Sequence, residues 1–289
     1  MTSPIIVTYS FTRQCNLKCG HCYSNSGERE NQELSQQKTK EVVEQIAKAG
    51  SRVLIFDGGE PLMREDIYDL ISHAGKFGLK TVLGTNGTLV TPAVVNKLKD
   101  AGVNHCAVSI DGSNPGTHEW LRGVKGCFNK AVRGAKLIQE AGIPLQINTC
   151  LNGKNQHEIN EIIKLAESLK ADSIQFFFYN NSGRNSSQVM PPDVDKRLSE
   201  NVKSKINIRL IGRIGIRGSK CCTAGENVCC ILNDGTVYPC MLLHIPLGNV
   251  MENTLQKIWE NSLVLKDLIE KKNGIFKGFE LCRLLRPCP

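Results

Sequence analysis

From Ile5 to about Tyr179, apolar and polar positions alternate between two patterns. Short apolar runs at Ile5–Phe11, Val53–Phe56, Thr81–Gly84, Cys106–Ile110, Leu145–Leu151 and Ile174–Tyr179 have the length of buried strands. Between them apolar residues return at three and four, as in Val42-Val43-Ile46-Ala47 and Ile159-Ile162-Ile163-Leu165-Ala166. That spacing gives a helix one apolar face. Gly50, Gly102 and Gly142 end such stretches, since glycine readily takes the left-handed conformation that closes a helix. Six strand–helix repeats predict a parallel sheet with right-handed crossovers. Six units do not close an eight-stranded barrel. The expected fold is α/β, a partial (β/α)6 TIM-type barrel.

After Tyr179 the pattern changes. Asn180–Ser187 is polar and loop-like, Pro191-Pro192-Asp193 opens a helix to about Lys205, and Ile206–Ile216 alternates like a strand at the barrel edge. Asn233-Asp234-Gly235-Thr236 between two apolar runs predicts a hairpin. The expected division is a barrel domain over 1–210 and a small cysteine-rich appendage over 211–289.

The chain has 289 residues, enough for a sizeable core. No apolar run reaches the ~20 residues of a membrane helix, and the start lacks the pattern of a signal peptide. A cytoplasmic location, with no membrane partner, is the expectation. The formal charge of +8 suits acidic partners or substrates. No block of Lys and Arg forms a nucleic-acid tract.

Thirteen cysteines in a chain without a secretory signal read as metal ligands more readily than as disulfides. Three of them, Cys15, Cys19 and Cys22, lie in one loop after the first strand with spacing C-x3-C-x2-C, and seven lie beyond residue 220. Thiolate is the soft donor that iron–sulfur clusters require. Three ligands hold three irons of a four-iron cluster and leave the fourth open to a chelating ligand. A zinc loop is the competing reading of the spacing alone. Cys106, Cys127 and Cys150 stand apart; buried free cysteine is ordinary core filling, and Cys150 near a strand end is a candidate hydrogen-atom donor.

In parallel α/β barrels chemistry collects at the carboxyl ends of strands. Polar and glycine residues mark those ends here: Gly58-Gly59-Glu60-Pro61, Thr85-Asn86-Gly87, Ser109-Ile110-Asp111-Gly112, and Asn148 beside Thr149. Gly58 and Gly59 let backbone approach a ligand, and Pro61 stiffens the turn. Ser109 and Asp111 suit a ribose hydroxyl or a carboxylate, and Asn86 and Asn148 suit similar contacts. Arg122 has the planar fork that clamps a carboxylate. Asn-Gly and Asp-Gly pairs are also plain turn chemistry.

The cysteine triplet followed by Gly-Gly-Glu-Pro resembles the radical S-adenosylmethionine (SAM) superfamily. The resemblance implies a 4Fe–4S cluster on Cys15, Cys19 and Cys22, chelated at its open iron by the amine and carboxylate of SAM. It implies that Gly58, Gly59, Glu60 and Pro61 bind the SAM amino group, with His21 in the slot beside adenine. Reduction of SAM to methionine and a 5′-deoxyadenosyl radical follows, then hydrogen abstraction from a substrate. The tail, with Cys222, Gly235 and Cys240, then Leu247-Gly248-Asn249-Val250 and Ile258-Trp259, resembles a SPASM or twitch domain. It implies at least one auxiliary iron–sulfur cluster, ligated by Cys222, Cys240, Cys282 and Cys288, with Cys221, Cys229 and Cys230 spare or alternates. A flavodoxin or ferredoxin-type donor is implied as electron source. Relatives with such tails modify ribosomal peptides or trim tetrapyrrole side chains. Peptide or protein side-chain modification is the first expectation, and decarboxylation or removal of a tetrapyrrole side chain the second. A two-cluster electron-transfer protein is the non-enzymatic rival.

Overall fold

The computed structural model describes residues 3–29, 32–179, 184, 204–211 and 224–274. Six parallel strands alternate with helices through the first part of the chain. They are β1 (Ile6–Thr12), β2 (Val53–Gly58), β3 (Lys80–Thr85), β4 (His105–Ser109), β5 (Leu145–Leu151) and β6 (Ser173–Phe178). The intervening helices are α1 (Gln36–Lys48), α2 (Ile67–Lys76), α3 (Pro92–Asp100), α4 (Pro115–Arg122), α5 (Cys127–Glu140) and α6 (Ile159–Ser168). Helix starts carry the polar caps that satisfy orphan amides: Ser35 accepts from Lys38 N, Thr91 from Val94 N, and Asn114 from Thr117 N. Gly50, Gly102 and Gly142 all have positive φ, as helix-closing glycines require.

One face of each strand packs on the helices. Leu54 and Phe56 of β2, Ile147 of β5 and Phe176 of β6 are buried with Val42, Ile46, Leu70 and Ile162 of the helices. Each such side chain contributes roughly 1.5–3 kcal/mol on burial. The opposite face is polar and half-buried on β5, where Gln146, Asn148 and Cys150 alternate with buried Leu145, Ile147, Thr149 and Leu151. This concave inner face carries the polar positions that the apolar core cannot use.

The sheet does not stop at the sixth repeat. β7 (Asn207–Ile211) pairs parallel with β6. β8 (Val228–Ile231) pairs parallel with β1, and β9 (Thr236–Tyr238) and β10 (Gly248–Asn249) follow antiparallel. Among the described residues the order is β10-β9-β8-β1-β2-β3-β4-β5-β6-β7, one ten-stranded sheet. The appendage therefore extends the barrel sheet at its β1 edge, a pairing between residues more than 200 apart that local pattern does not encode. The expected hairpin at Asn233–Thr236 joins β8 to β9. α7 (Leu255–Asn261) buries Ile258 and Trp259 against this edge, and α8 (Leu263–Gly274) follows. The helix expected from Pro191, most of the Asn180–Ser187 loop, and the Ile206–Ile216 strand beyond Ile211 lie outside the described residues. Among the described residues no helix is long and apolar enough to cross a membrane.

Candidate active site and cluster loop

The cysteine loop leaves β1 at Thr12 and is seated on three strand ends. Gly59 N donates to Thr12 O at 2.7 Å and Glu60 N to Gln14 O at 2.8 Å. A Cβ on Gly58 would lie 2.3 Å from Thr12 O, and one on Gly59 2.2 Å from Gln14 O. The backbone that approaches these two glycines on their Cβ side is the chain's own, just before Cys15. Gly58 also has φ +137°, a conformation that side chains rarely adopt.

Glu60 is fully buried. Its Oε1 accepts from Thr85 Oγ1 at 2.7 Å and Leu62 N at 3.2 Å, and its Oε2 from Asn86 N at 2.7 Å. Both oxygens are thus engaged inside the protein, joining the ends of β2 and β3. Burial pushes the carboxyl up to about 7, against the pull of these donors. Pro61 opens the short turn that follows, over Pro61–Met63. Asn86 Nδ2 donates to Asn16 Oδ1 at 2.8 Å, tying the β3 end to the cysteine loop.

From the other side the loop rests on the C-terminus of α4. Lys18 N and Gly20 N donate to the carbonyls of Arg122 and Leu121 at 3.2 and 2.8 Å, satisfying helix-end acceptors. Arg122 and Asp111 are also brought together. Arg122 Nε lies 2.6 Å from Asp111 Oδ2, an ion pair in which the N–H is not aligned as a hydrogen bond. Arg122 holds the Asp111 carboxyl below its usual range despite complete burial. Asp111 Oδ1 accepts from Cys150 N at 2.8 Å. Asp111, expected at a ribose hydroxyl or a carboxylate, and Arg122, expected at the methionine carboxylate, lie together as one buried ion pair. His21 Nε2 is 3.6 Å from Asp111 Oδ2. Its ring stays neutral, burial lowering its pKa to about 4.

Ser109 and Asn148 pair across β4 and β5 on the inner face. Asn148 Oδ1 accepts from Gln146 Nε2 at 2.7 Å, and the same amide donates to Gln175 Oε1 at 2.6 Å. Cys150 continues this row on β5. Cys127 packs with Leu17 and Cys19, supporting the cysteine loop, and Cys106 is buried in the main core.

Several contributors carry no motif. Tyr23, next to Cys22, donates from Oη to Asp57 Oδ2 at 2.9 Å. Arg184 N donates to Cys22 O at 3.0 Å, and its guanidinium reaches Cys19 O at 3.3 Å and Ser26 O. Gly123 has φ +72°, and a Cβ there would lie 2.4 Å from Lys18 O. Only the adjacency of Tyr23 to Cys22, and of Asp57 to Gly58, hints at these roles in sequence.

The residues present fit a cluster and a polar ligand. Cys22 Sγ accepts from Ser26 N at 3.3 Å and Arg122 Nη1 lies 3.8 Å from Cys19 Sγ, donors of the kind that support ligating thiolates. Burial pushes the Cys15 thiol up to about 11 and raises Cys19 as well, so ionisation there calls for a metal to offset it. Buried Ser10 Oγ, His21 Nδ1 and Tyr179 Oη at this rim have no partner within the protein, as a rim built to receive a polar molecule would. Among the described residues no three His, Cys, Asp or Glu side chains converge as the donors of one ion do; thiols that each take a different iron need no such convergence. In the tail, Cys229 lies in the helix-side core beside Val7, while Cys230 pairs with Thr8 and Tyr238. Cys240 is half-buried. Cys221, Cys222, Cys282 and Cys288 lie outside the described residues.

Comparison with known proteins agrees with this arrangement. The family model of the radical SAM superfamily matches residues 9–166, and that of an iron–sulfur cluster-binding domain, SPASM, matches residues 221–289. The AdoMet-dependent heme synthase of Methanosarcina barkeri is 32% identical over 97% of this chain and 90% of its own length. The mycofactocin maturase MftC of Mycobacterium tuberculosis is 28% identical over 98% of this chain and 78% of its own. The crystal structure of Streptococcus suis SuiB bound to precursor peptide SuiA superposes with a TM-score of 0.79 at 18% identity, over 93% of this chain and 67% of that one, a likeness of fold. The chain belongs to the radical SAM superfamily, in the group that carries a C-terminal SPASM iron–sulfur domain.

Proposed function

We propose that this radical SAM enzyme abstracts a hydrogen atom from a side chain of a carboxylate-bearing tetrapyrrole. The observation that carries the substrate class is the inner face of the sheet. Gln146, Asn148 and Gln175 form a ladder of amides there, and Arg209 pairs with Gln175 across β6 and β7 on the same face. The hydrogens of Gln146 are spent within the ladder, which leaves the amide donors of Asn148 and Gln175 and the Arg209 guanidinium in one row to suit substrate carboxylates. The heme synthase relative, similar over nearly the whole chain, supports the same class.

When bound, the cluster and SAM supply an electron and a carbon-centred radical of high reactivity. The chain's own residues place and shield them. Cys15, Cys19 and Cys22 are the proposed cluster ligands. The segment Gly58, Gly59, Glu60 and Pro61, with Asn86, shapes the rim for SAM, its carboxylate spent on holding strand ends. Ser109 and Asn148 face the ligand from β4 and β5, and His21 offers an unpaired Nδ1 and a neutral ring face. Asp111 and Arg122 act as a fixed pair beneath the loop. Cys240 is the described member of the proposed auxiliary ligand set, with Cys222, Cys282 and Cys288. The barrel over 1–210 and the appendage over 211–289 remain our functional division, within one continuous sheet. A flavodoxin or ferredoxin-type protein is the proposed donor.

Modification of a ribosomal peptide is the second reading, favoured by the maturase relative. Anaerobically reconstituted protein with SAM and dithionite tests both. Formation of 5′-deoxyadenosine that rises with an iron porphyrin bearing propionates, together with loss of carboxyl mass from it, is expected. Deoxyadenosine with an unchanged porphyrin but a modified precursor peptide would select the second reading. Its complete absence would leave the electron-transfer rival.

A further inference from the structure

Arg122 ends α4 with its side chain 11% exposed, and the Asp111 side chain facing it is fully buried. A guanidinium that only balanced a carboxylate would present its two-pronged edge to both oxygens. Here the two groups divide their contacts. Nε faces Asp111 Oδ2 at 2.6 Å, while Nη1 turns to Cys19 Sγ at 3.8 Å. Asp111 is itself fixed through its other oxygen by Cys150 N. The backbone around Arg122 seats the same loop, since its carbonyl accepts from Lys18 N and Gly123 abuts Lys18 O. Cys19 therefore meets a cation whose position is set from two sides.

We propose that Arg122 is a positioning residue that raises the reduction potential of the cluster on the cysteine loop, with Asp111 as its anchor and counterweight. The proposal rests on the reading that Cys15, Cys19 and Cys22 hold that cluster. Reduction adds one electron to the cluster, and a positive group donating toward a ligating sulfur favours the more negative state. Asp111 opposes the effect by neutralising the guanidinium from behind. The two residues must then shift the potential in opposite directions, although both belong to one buried pair. A purely structural pair would not behave so: loss of either member would loosen the loop in the same way.

The test is an anaerobic redox titration of the reconstituted protein without SAM, followed by electron paramagnetic resonance. The spectrum of the Cys15→Ala, Cys19→Ala, Cys22→Ala variant is subtracted to remove the auxiliary signal. At the wild-type midpoint, Arg122→Gln should lower the reduced-to-oxidised ratio about tenfold, ~59 mV for a one-electron couple. Arg122→Lys should lower it less, and Asp111→Asn should raise it. Where Arg122→Gln fails to load iron, Arg122→Lys and Asp111→Asn carry the test. A midpoint unmoved in Arg122→Lys, or lowered in Asp111→Asn, overturns the proposal. If the triple-cysteine variant keeps a signal that responds to SAM, the ligand reading fails instead.

Discussion

Tyr23 Oη donates to Asp57 Oδ2 at 2.9 Å, joining the residue after the last cysteine of the loop to the last residue before Gly58. Burial raises the pKa of both groups, and the hydrogen bond partly offsets this for Asp57. Asp57 pairs in register with Ser10 of β1, so the contact ties the far end of the loop back to the strand pair it left. Together with Asn86–Asn16 and the α4 carbonyls, it holds the loop from three directions.

Replacing Tyr23 with Phe keeps the ring and removes the donor. Asp57 is left in a desolvated site with one partner fewer, which costs about 1–3 kcal/mol. Urea denaturation of the reconstituted protein should show a lower midpoint with an unchanged slope. Iron content after gel filtration should fall in parallel, since the loop end is freed.

Two glycines near the end of α4 separate backbone strain from loop seating. Gly126 has φ +80° and nothing within 4 Å of a built Cβ, whereas Gly123 has φ +72° and Lys18 O at 2.4 Å. Gly126→Ala should cost only the left-handed penalty of about 1–2 kcal/mol. Gly123→Ala should cost clearly more and also displace Lys18, lowering the cluster occupancy. Equal iron content in the two variants would count against the seating role.

The periodic part of this fold is legible in sequence because local physics decides it. β5 spans Leu145–Leu151 as the alternation requires, bounded by Pro144 and by Asn152-Gly153. The cysteine triplet and the strand-end motifs are legible for the same reason: they are short and contiguous. What pattern does not carry is partnership at distance. Nothing in Val228–Ile231 says that it pairs with β1, and nothing in Arg122 says whether its cation faces a substrate or Asp111. Gly58 and Gly59 announce a close approach, yet only the fold shows that Thr12 and Gln14 are what approaches.

Arg184 is exposed but strapped across the loop through Cys22 O, Cys19 O and Ser26 O. Solvent weakens such contacts, so Arg184→Ala should change overall stability by no more than about 0.5 kcal/mol. The kinetic effect should be larger, because the strap holds the carbonyls of the proposed ligands Cys19 and Cys22 and of Ser26. Iron release to a chelator should accelerate, and Arg184→Lys should restore only part of the difference, as a single ammonium cannot span the same carbonyls.

Glu60 supplies a pH dependence whose sign is fixed by its burial. Its carboxyl moves from 4.5 to about 7 on folding, so folding takes up a proton between those values. The stability contributed by this group is full below about pH 4.5 and lost as pH rises through about 7, a difference of at most about 3 kcal/mol. Glu60→Gln removes the titration while keeping the shape that joins Thr85 and Asn86. The unfolding free energy of the wild type minus that of the variant should therefore fall between about pH 5 and 7 and level off above. Urea titrations of the reconstituted proteins across that range measure it. A difference that rises instead would mean that the donors from Thr85, Asn86 and Leu62 outweigh burial. Glu60 would then be ionised at neutral pH, a fixed negative charge beneath the rim where the ammonium of SAM is proposed to sit.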